Sequence, residues 1–396
     1  MDAEAHVRDR PVILTFAGHY LPGFRAGGPV RTLANLVDRL GDTFDFRIVA
    51  ADRDLGDASP FADIPINRWV ERGRARVFYR SSGSTGWPAL LASPDVVEPD
   101  LIYLNGFFGL HSAIRPLVER RLGRLSRAPV LLAPRGEFSD GALALKAIKK
   151  RAFMGLSRFV GLHRSVAFQA SSSYEADDIR RRLGPVPVSV ACDLSARSQT
   201  VLSPNSERLH CTPLRLVFLA RISPMKNLLG AIDILSRVGA TPVDFDIYGV
   251  MEDTAYWARC EAAMAALPTN VRVRYKGPLR PDEVETVLAN YDAFLFPTLG
   301  ENYGHVIREA LSAGLPVLVS DRTPWRGLEA KGAGADLPLE APQAFADRLQ
   351  SWAKLDASAL QPMREAARRV GDDPVAAKAA LDANREMFLA ALRRPG

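Results

Sequence analysis

Two glutamates, Glu301 and Glu309, are separated by seven residues in PTLGENYGHVIREALSAGLPVL. The preceding run, YDAFLFPT, is apolar enough for a central strand, and GHVIREALSAG predicts a helix from about Gly304 to Gly314, with Pro316 barring continuation. Glu301 then falls in the strand-to-helix loop and Glu309 in the helix. The start of such a helix presents free N–H groups and about half a positive charge. It accepts phosphate, most readily where a glycine such as Gly304 lets backbone approach closely. A carboxylate beside a phosphate repels it, so the pair is read as holding hydroxyl groups of the same ligand. A ligand with both phosphates and many hydroxyls is a nucleotide sugar. The plainer alternative is that Glu301 complements the helix dipole and Glu309 is solvated.

Arg221 and Lys226 follow the apolar run LRLVFLA in RISPMKN. At a strand end these cations suit a diphosphate leaving group, each charge pair being worth about 4 kcal/mol at 4 Å and an effective dielectric of 20; in isolation they read as a basic surface turn. The early loop FRAGGPV lacks the full dinucleotide glycine pattern, but Gly27 and Gly28 permit close approach to an anion, or simply a turn. Asp52, Asp54 and Asp57 in ADRDLGD follow another strand-like run and are candidates for acceptor contact. Asp244 and Asp246 in VDFD read as strand alternation rather than a metal pair, and no metal site is expected. His19 and His111 lie at strand-loop boundaries, where a lone histidine is usually structural.

The elements that must position these groups alternate. PVILTFAG, FDFRIVAAD, PDLIYLNGFF, PVLLAPRGEFS and VAFQASSS read as strands in the first half, as do LRLVFLARIS, VDFDIYG, VRVRYKGPL, AFLFPTLG and PVLVSD in the second. Helical stretches separate them, including VRTLANLVDRLG with Val30, Leu33, Leu36, Val37 and Leu40 on one face. Such alternation predicts parallel sheets covered on both faces. The expected fold is α/β, two doubly wound Rossmann-like domains: residues 1–195, then a linker over 196–212 rich in Pro, Ser and Thr, then 213–370. A helical segment at 371–396 extends beyond the second core or returns to the first domain. Ligands of open α/β sheets bind beyond the carboxyl ends of the strands, which selects the loops named above.

A length of 396 residues suits two domains, and 47% hydrophobic with 24% charged residues excludes a mostly disordered chain. Cys192, Cys211 and Cys260 have no metal or disulfide spacing, so a reducing cytoplasm is expected. The charged start MDAEAHVRDR and the lack of 18 consecutive apolar residues predict neither export nor a membrane span. A net charge of +6 is compatible with anionic partners, although no nucleic-acid motif accompanies it. LKAIKKRAFMGLSRFV, residues 145–160, places Leu145, Ile148, Ala152, Leu156 and Phe159 at helical spacing with its basic residues largely elsewhere. It reads either as a peripheral surface against anionic membrane or as a helix packed on its own domain with the basic face in water.

The segments RISPMKN, GPLRPDEVETVLANYDAFLFPTLGENYGHVIREALSAGLPVLVSD and TPWRGLEAKGAG resemble the C-terminal half of glycosyltransferase family 4 (group 1), the retaining GT-B enzymes. The opening YLPGFRAGGPVRTLANLVDRLG is similar to that family's start. The resemblance implies two domains facing across a cleft, the first for the acceptor and the second for the donor. It also implies that Glu309 binds the ribose hydroxyls and Glu301 the donor-sugar hydroxyls, near Asn302 and the backbone of Tyr303 and Gly304. Arg221 and Lys226 match the diphosphate-binding cations, and Gly27 and Gly28 the first-domain glycine loop. Retention would follow front-face attack assisted by the leaving phosphate, without metal or other cofactor. Two places depart from the pattern: Arg135 stands where many relatives have histidine, and VSVACDL lacks their Asn-Gly. Arg135 or Glu137 is then expected to shape the acceptor or sugar site.

The expected activity is metal-independent transfer of a sugar from a nucleotide diphosphate sugar to a glycan or lipid-linked acceptor, in polysaccharide or glycoconjugate synthesis. Its expected place is the cytoplasm, peripheral to the membrane if the basic segment docks there. A nucleotide-sugar epimerase and a non-catalytic subunit that binds the nucleotide sugar are the alternatives.

Overall fold

The computed structural model describes residues 10–96, 98–144, 147–196 and 213–395. The expected linker lies outside the described residues from residue 197 on, as do Cys211, Leu145 and Lys146. The described chain divides into two compact units, one running to Ala196 and taking in the stretch from Lys378, the other covering 213–377.

In the first unit the strands are β1 Val12–Phe16, β2 Asp45–Ala51, β3 Trp69–Arg72, β4 Ala75–Arg80, β5 Leu101–Asn105, β6 Val130–Ala133, β7 Val166–Ala170 and β8 Val188–Val190. They form one sheet in the order β3-β4-β2-β1-β5-β6-β7-β8. β1 and β7 are buried along their whole length, as parallel strands covered on both faces must be. The helix Gly28–Leu40 buries Val30, Leu33, Leu36, Val37 and Leu40, the face its spacing predicts. One strand departs from the parallel expectation. β3 pairs antiparallel with β4 at the sheet edge, because Gly73 at φ 59° opens a two-residue turn that can only return the chain as a hairpin.

The helix Pro374–Leu392 supplies part of this first core from Lys378 on. Its Phe388 ring lies 5.4 Å from Phe44, 5.9 Å from Phe46 and 5.2 Å from Tyr103. Asn384 donates to the Cys192 carbonyl at 2.7 Å, tying the helix to the segment after β8.

The second unit contains β9 Leu214–Leu219, β10 Val243–Tyr248, β11 Val271–Gly277, β12 Ala293–Phe296, β13 Val317–Ser320 and β14 Gly334–Leu337. Their order is β11-β10-β9-β12-β13-β14, all parallel. This is the doubly wound order in which winding reverses between the first and fourth strands, here β9 and β12. The two strands meet in register through Leu216 beside Ala293 and Val217 beside Phe294. Connections from them leave toward opposite faces, so a crevice opens at their carboxyl ends.

Candidate functional site

The crevice between β9 and β12 is lined by the two loops that carried the sequence argument. After β9 the chain makes a short 3-10 turn, Pro224–Lys226, and enters the helix Leu228–Leu235 through Asn227. Asn227 accepts from the Gly230 N–H and donates to the Pro297 carbonyl at 2.7 Å, so one side chain caps a helix and fixes the neighbouring loop. Leu299 N–H donates to the Met225 carbonyl at 3.0 Å, and Thr298 Oγ1 donates to it at 3.1 Å. The loops are therefore one hydrogen-bonded assembly.

Within it Lys226 Nζ donates to Glu301 Oε1 at 2.6 Å, across 75 residues of sequence. Thr298 Oγ1 lies 3.1 Å from the same oxygen. The lysine side chain is 19% exposed and the glutamate 10%, so the pair is largely desolvated yet still reached from the crevice. Such a charge-assisted bond is short and directional. Arg221 pairs with Glu252 Oε1 at 2.8 Å, with both side chains about one-third exposed. Glu252 escaped the sequence reading because an acidic residue in the loop after β10 carries no signal without its partner.

Gly304 lies at φ 79° and ψ 58° as the N-cap of the helix His305–Ser312. An L side chain strains there, and an added Cβ would lie 3.0 Å from Ile307 Cδ1. The glycine leaves the first amides of the helix without a capping side chain of its own. The Tyr303 carbonyl accepts from Trp325 Nε1 at 2.7 Å, which fixes the approach to the helix. Trp325 lies within TPWRGLEAKGAG, but nothing in that spacing announces the contact. Asn302 is half-buried in the same loop, and Glu309 is half-buried in the second turn of the helix. Burial, reinforced by the charges of Asp372 and Glu309, pushes the nearby Glu285 carboxyl above its ordinary value.

The first unit places its candidates differently. Gly27, at φ 71° and ψ −129°, is the N-cap of the helix that starts at Gly28. That helix is anchored by Thr32 Oγ1 donating to Asp193 Oδ2 at 2.8 Å and by Asn35 donating to the Leu194 carbonyl at 2.8 Å. The other oxygen of Asp193 takes Arg135 NH1 at 2.7 Å, with side-chain exposures of 5% and 8%. Arg135 also donates to Tyr103 OH at 2.6 Å and to Asn105 Oδ1 at 2.8 Å. The two sequence departures, Arg135 and the ACDL segment, are thus directly bonded to each other. Glu137 is turned inward too, accepting from Phe107 N–H at 2.5 Å and Phe108 N–H at 3.0 Å. Burial raises its pKa despite those two bonds.

The remaining candidates have protein partners. Asp54 accepts from the Phe24 and Arg25 amides, holding the loop that leads to Gly27, and Asp52 pairs with Arg53 at 2.8 Å. Asp57 pairs with Arg25. Asp246 binds Arg274 Nε at 2.7 Å and Tyr291 OH at 2.8 Å, while Asp244 lies 3.5 Å from Arg274. His19 contacts the Arg53 carbonyl, and His111 accepts from Trp87 Nε1 at 3.1 Å. Among the described residues no group of three or more metal-ligating side chains assembles.

Residues 203–370 match the family model for glycosyl transferases group 1. That match takes in somewhat under half of the chain and lies in its second half. A stretch of 195 residues is 25% identical to WcaL of Escherichia coli strain K12, whose name is that of a colanic acid biosynthesis glycosyltransferase. That match spans 48% of this chain and 48% of WcaL, so about half of the relative is represented. Among solved structures, sucrose-phosphate synthase from Thermosynechococcus elongatus superimposes with a TM-score of 0.70 at 15% identity over 96% of this chain and all of that one. HepE from Anabaena, solved with UDP and glucose, gives 0.67 at 15% identity with the same coverage. Likenesses at this identity establish the GT-B fold and no more. The family match falls on the unit in which Lys226, Glu301 and the Gly304-capped helix are assembled.

Proposed function

We propose that the second unit binds a nucleotide diphosphate sugar and that the protein transfers its sugar, with retention, to a glycan or lipid-linked acceptor. One observation carries this reading: a cation, a carboxylate and an uncapped helix start meet at the point where the winding of the sheet reverses. The UDP and glucose bound by HepE, on the same fold, and the UDP-glucose bound by it in a second structure, are in keeping with such a donor. WcaL's name supports polysaccharide synthesis as the setting.

In the proposed reaction the acceptor hydroxyl oxygen bonds to the anomeric carbon on the face from which the nucleoside diphosphate departs. The electrons of the breaking C–O bond go to the leaving β-phosphate oxygen, which takes up the hydroxyl proton. Arg221, Lys226 and the amides after Gly304 stabilise the departing charge. Glu301 accepts from sugar hydroxyls and holds Lys226 in place, and Glu309 accepts from the ribose. Gly27 and Gly28 let backbone approach an anion at the start of their helix. Arg135, with its guanidinium bonded to Asp193, Tyr103 and Asn105, positions the first-unit loops, and Glu137 does the same through the Phe107 and Phe108 amides.

Incubating the purified protein with a panel of nucleotide sugars and a membrane extract separates the readings. Free nucleotide with labelled glycan or lipid supports transfer, an isomerised donor indicates an epimerase, and neither product together with nucleotide-sugar binding indicates a non-catalytic subunit. Within the transfer reading, Glu309→Ala should weaken nucleotide binding and Arg221→Ala should slow turnover with folding intact. Unchanged turnover in both variants would remove these assignments.

A further inference from the structure

The helix Ala147–Phe159 turns its apolar stripe outward. Ile148 is 85% exposed, Phe159 89% and Leu156 61%, whereas the face toward the core is made by Phe153, Met154 and the buried Ser157. Of the two sequence readings of this segment, a helix packed on its own domain would bury the stripe, whereas a peripheral surface would leave it outward. At 100° per residue Ile148, Ala152 and Phe159 fall within one narrow arc, with Lys149 on one flank and Arg151 and Arg158 on the other. Lys150 is not part of the rim, because it donates to the Ala142 carbonyl and lies over the Phe108 ring.

The surroundings continue the pattern. Arg121 donates to the Val160 carbonyl, bringing the exposed Leu122 to the end of the helix. Arg158 donates to the Arg182 carbonyl at 3.1 Å, which adds the basic end of the helix Ser173–Leu183. From Gly141 to Tyr174 the sequence has no Asp or Glu. Large apolar side chains that stand in water inside a rim of one charge sign are unfavourable unless something covers them. A protein partner would meet this face with mixed polarity. A bilayer with anionic headgroups offers an apolar layer beneath a uniformly negative surface, which complements both features together.

We propose that this face docks on an anionic membrane surface, with Phe159, Ile148 and Leu156 entering the headgroup boundary and Lys149, Arg151 and Arg158 facing the lipid charges. The inference draws its purpose from the lipid-linked acceptor of the proposed function, but the contact itself requires neither donor nor acceptor. The experiment therefore uses the full chain alone, sedimented with vesicles of phosphatidylcholine containing 30% phosphatidylglycerol and with vesicles of phosphatidylcholine only. Binding to the anionic vesicles and its weakening by salt are expected. Ile148→Ser with Phe159→Ser should lower partition at least tenfold, and Lys149→Glu and Arg151→Glu about fivefold each. Melting temperature and nucleotide binding should stay the same in every variant. Equal partition to both vesicle types, or unchanged partition in the serine variant, overturns the proposal. So does a concentration-dependent dimer that the serine variant abolishes, which would assign the face to a second copy. Failure here leaves sugar transfer untouched, and failure of transfer leaves vesicle binding standing.

Discussion

Both units wind their parallel strands outward from a central pair, β1 with β5 in the first and β9 with β12 in the second, but they use the loops beyond the strands in opposite ways. In the first, the amides after β5 are taken by Glu137, and Arg135 is buried against Asp193, Tyr103 and Asn105. The anion-accepting backbone is occupied by the protein's own carboxylate. In the second, the corresponding helix start opens on Gly304, and the cations Arg221 and Lys226 keep part of their surface in water. Topology places a crevice in each unit, and side-chain chemistry decides whether it is filled from within or left for a ligand.

That contrast predicts unlike responses to the loss of a charge. Arg135→Ala leaves the buried Asp193 carboxylate without its cation and should cost about 3–5 kcal/mol of stability. Arg221→Ala should cost less than about 1 kcal/mol, as expected of an exposed pair. Equal shifts in denaturant midpoint would erase the distinction between the units. Lys226→Ala should do the reverse of Arg135→Ala. It should slow sugar transfer by about 10²–10³-fold, near 3–4 kcal/mol on the barrier, with the melting temperature nearly kept. Loss of folding without a separate loss of turnover would make Lys226 a structural partner of Glu301 only.

Acid should strain the first unit through His163. Its ring stacks on Phe107 at 4.4 Å, its buried Nε2 has no hydrogen-bond partner among the described residues, and burial pulls its pKa down to about 4. The neutral form is favoured in the fold, so this stabilisation is present above the ordinary value near 6.5 and is lost as pH falls toward 4. The loss amounts to roughly 3 kcal/mol. Glu137 acts with the opposite sign: its raised pKa gives stability that is full below its ordinary value and declines as pH rises. His163→Phe should flatten the acid limb of a stability-against-pH curve, and an unchanged limb would discount the histidine. The smallest effect sharpens the second unit. Gly304→Ala should cost about 1–2 kcal/mol through its left-handed backbone and weaken nucleotide binding measured by titration calorimetry.

The strands and the buried face of the helix Gly28–Leu40 were legible because burial leaves a periodic imprint on the sequence. Strand order was not written in that imprint, although right-handed winding made the reversal between β9 and β12 a natural outcome. Glu301 could be singled out from its neighbours, but its bond to Lys226 joins residues 75 apart that only the folded sheet brings together. Asp193 is invisible in ACDL, because a carboxylate that ties Thr32 to Arg135 looks like any other until both partners arrive. The stripe of Ile148, Leu156 and Phe159 was legible as a stripe. Periodicity shows that a helix has two faces and says nothing about which one the rest of the chain will cover.

The helix Pro374–Leu392 has a consequence for synthesis on the ribosome. Phe44, Phe46 and Tyr103 are made early, but the Phe388 ring that packs on all three emerges after the whole second unit. Counted from the end of β8 at Val190, the delay at 5–20 residues per second is roughly 10–40 s. During that interval the first sheet has to wait with an apolar face uncovered while its neighbour can already close. A chain stopped at Ala377 should therefore bind a hydrophobic dye and unfold its first unit at lower denaturant than its second. Coincident unfolding of both units would show that the late helix is dispensable.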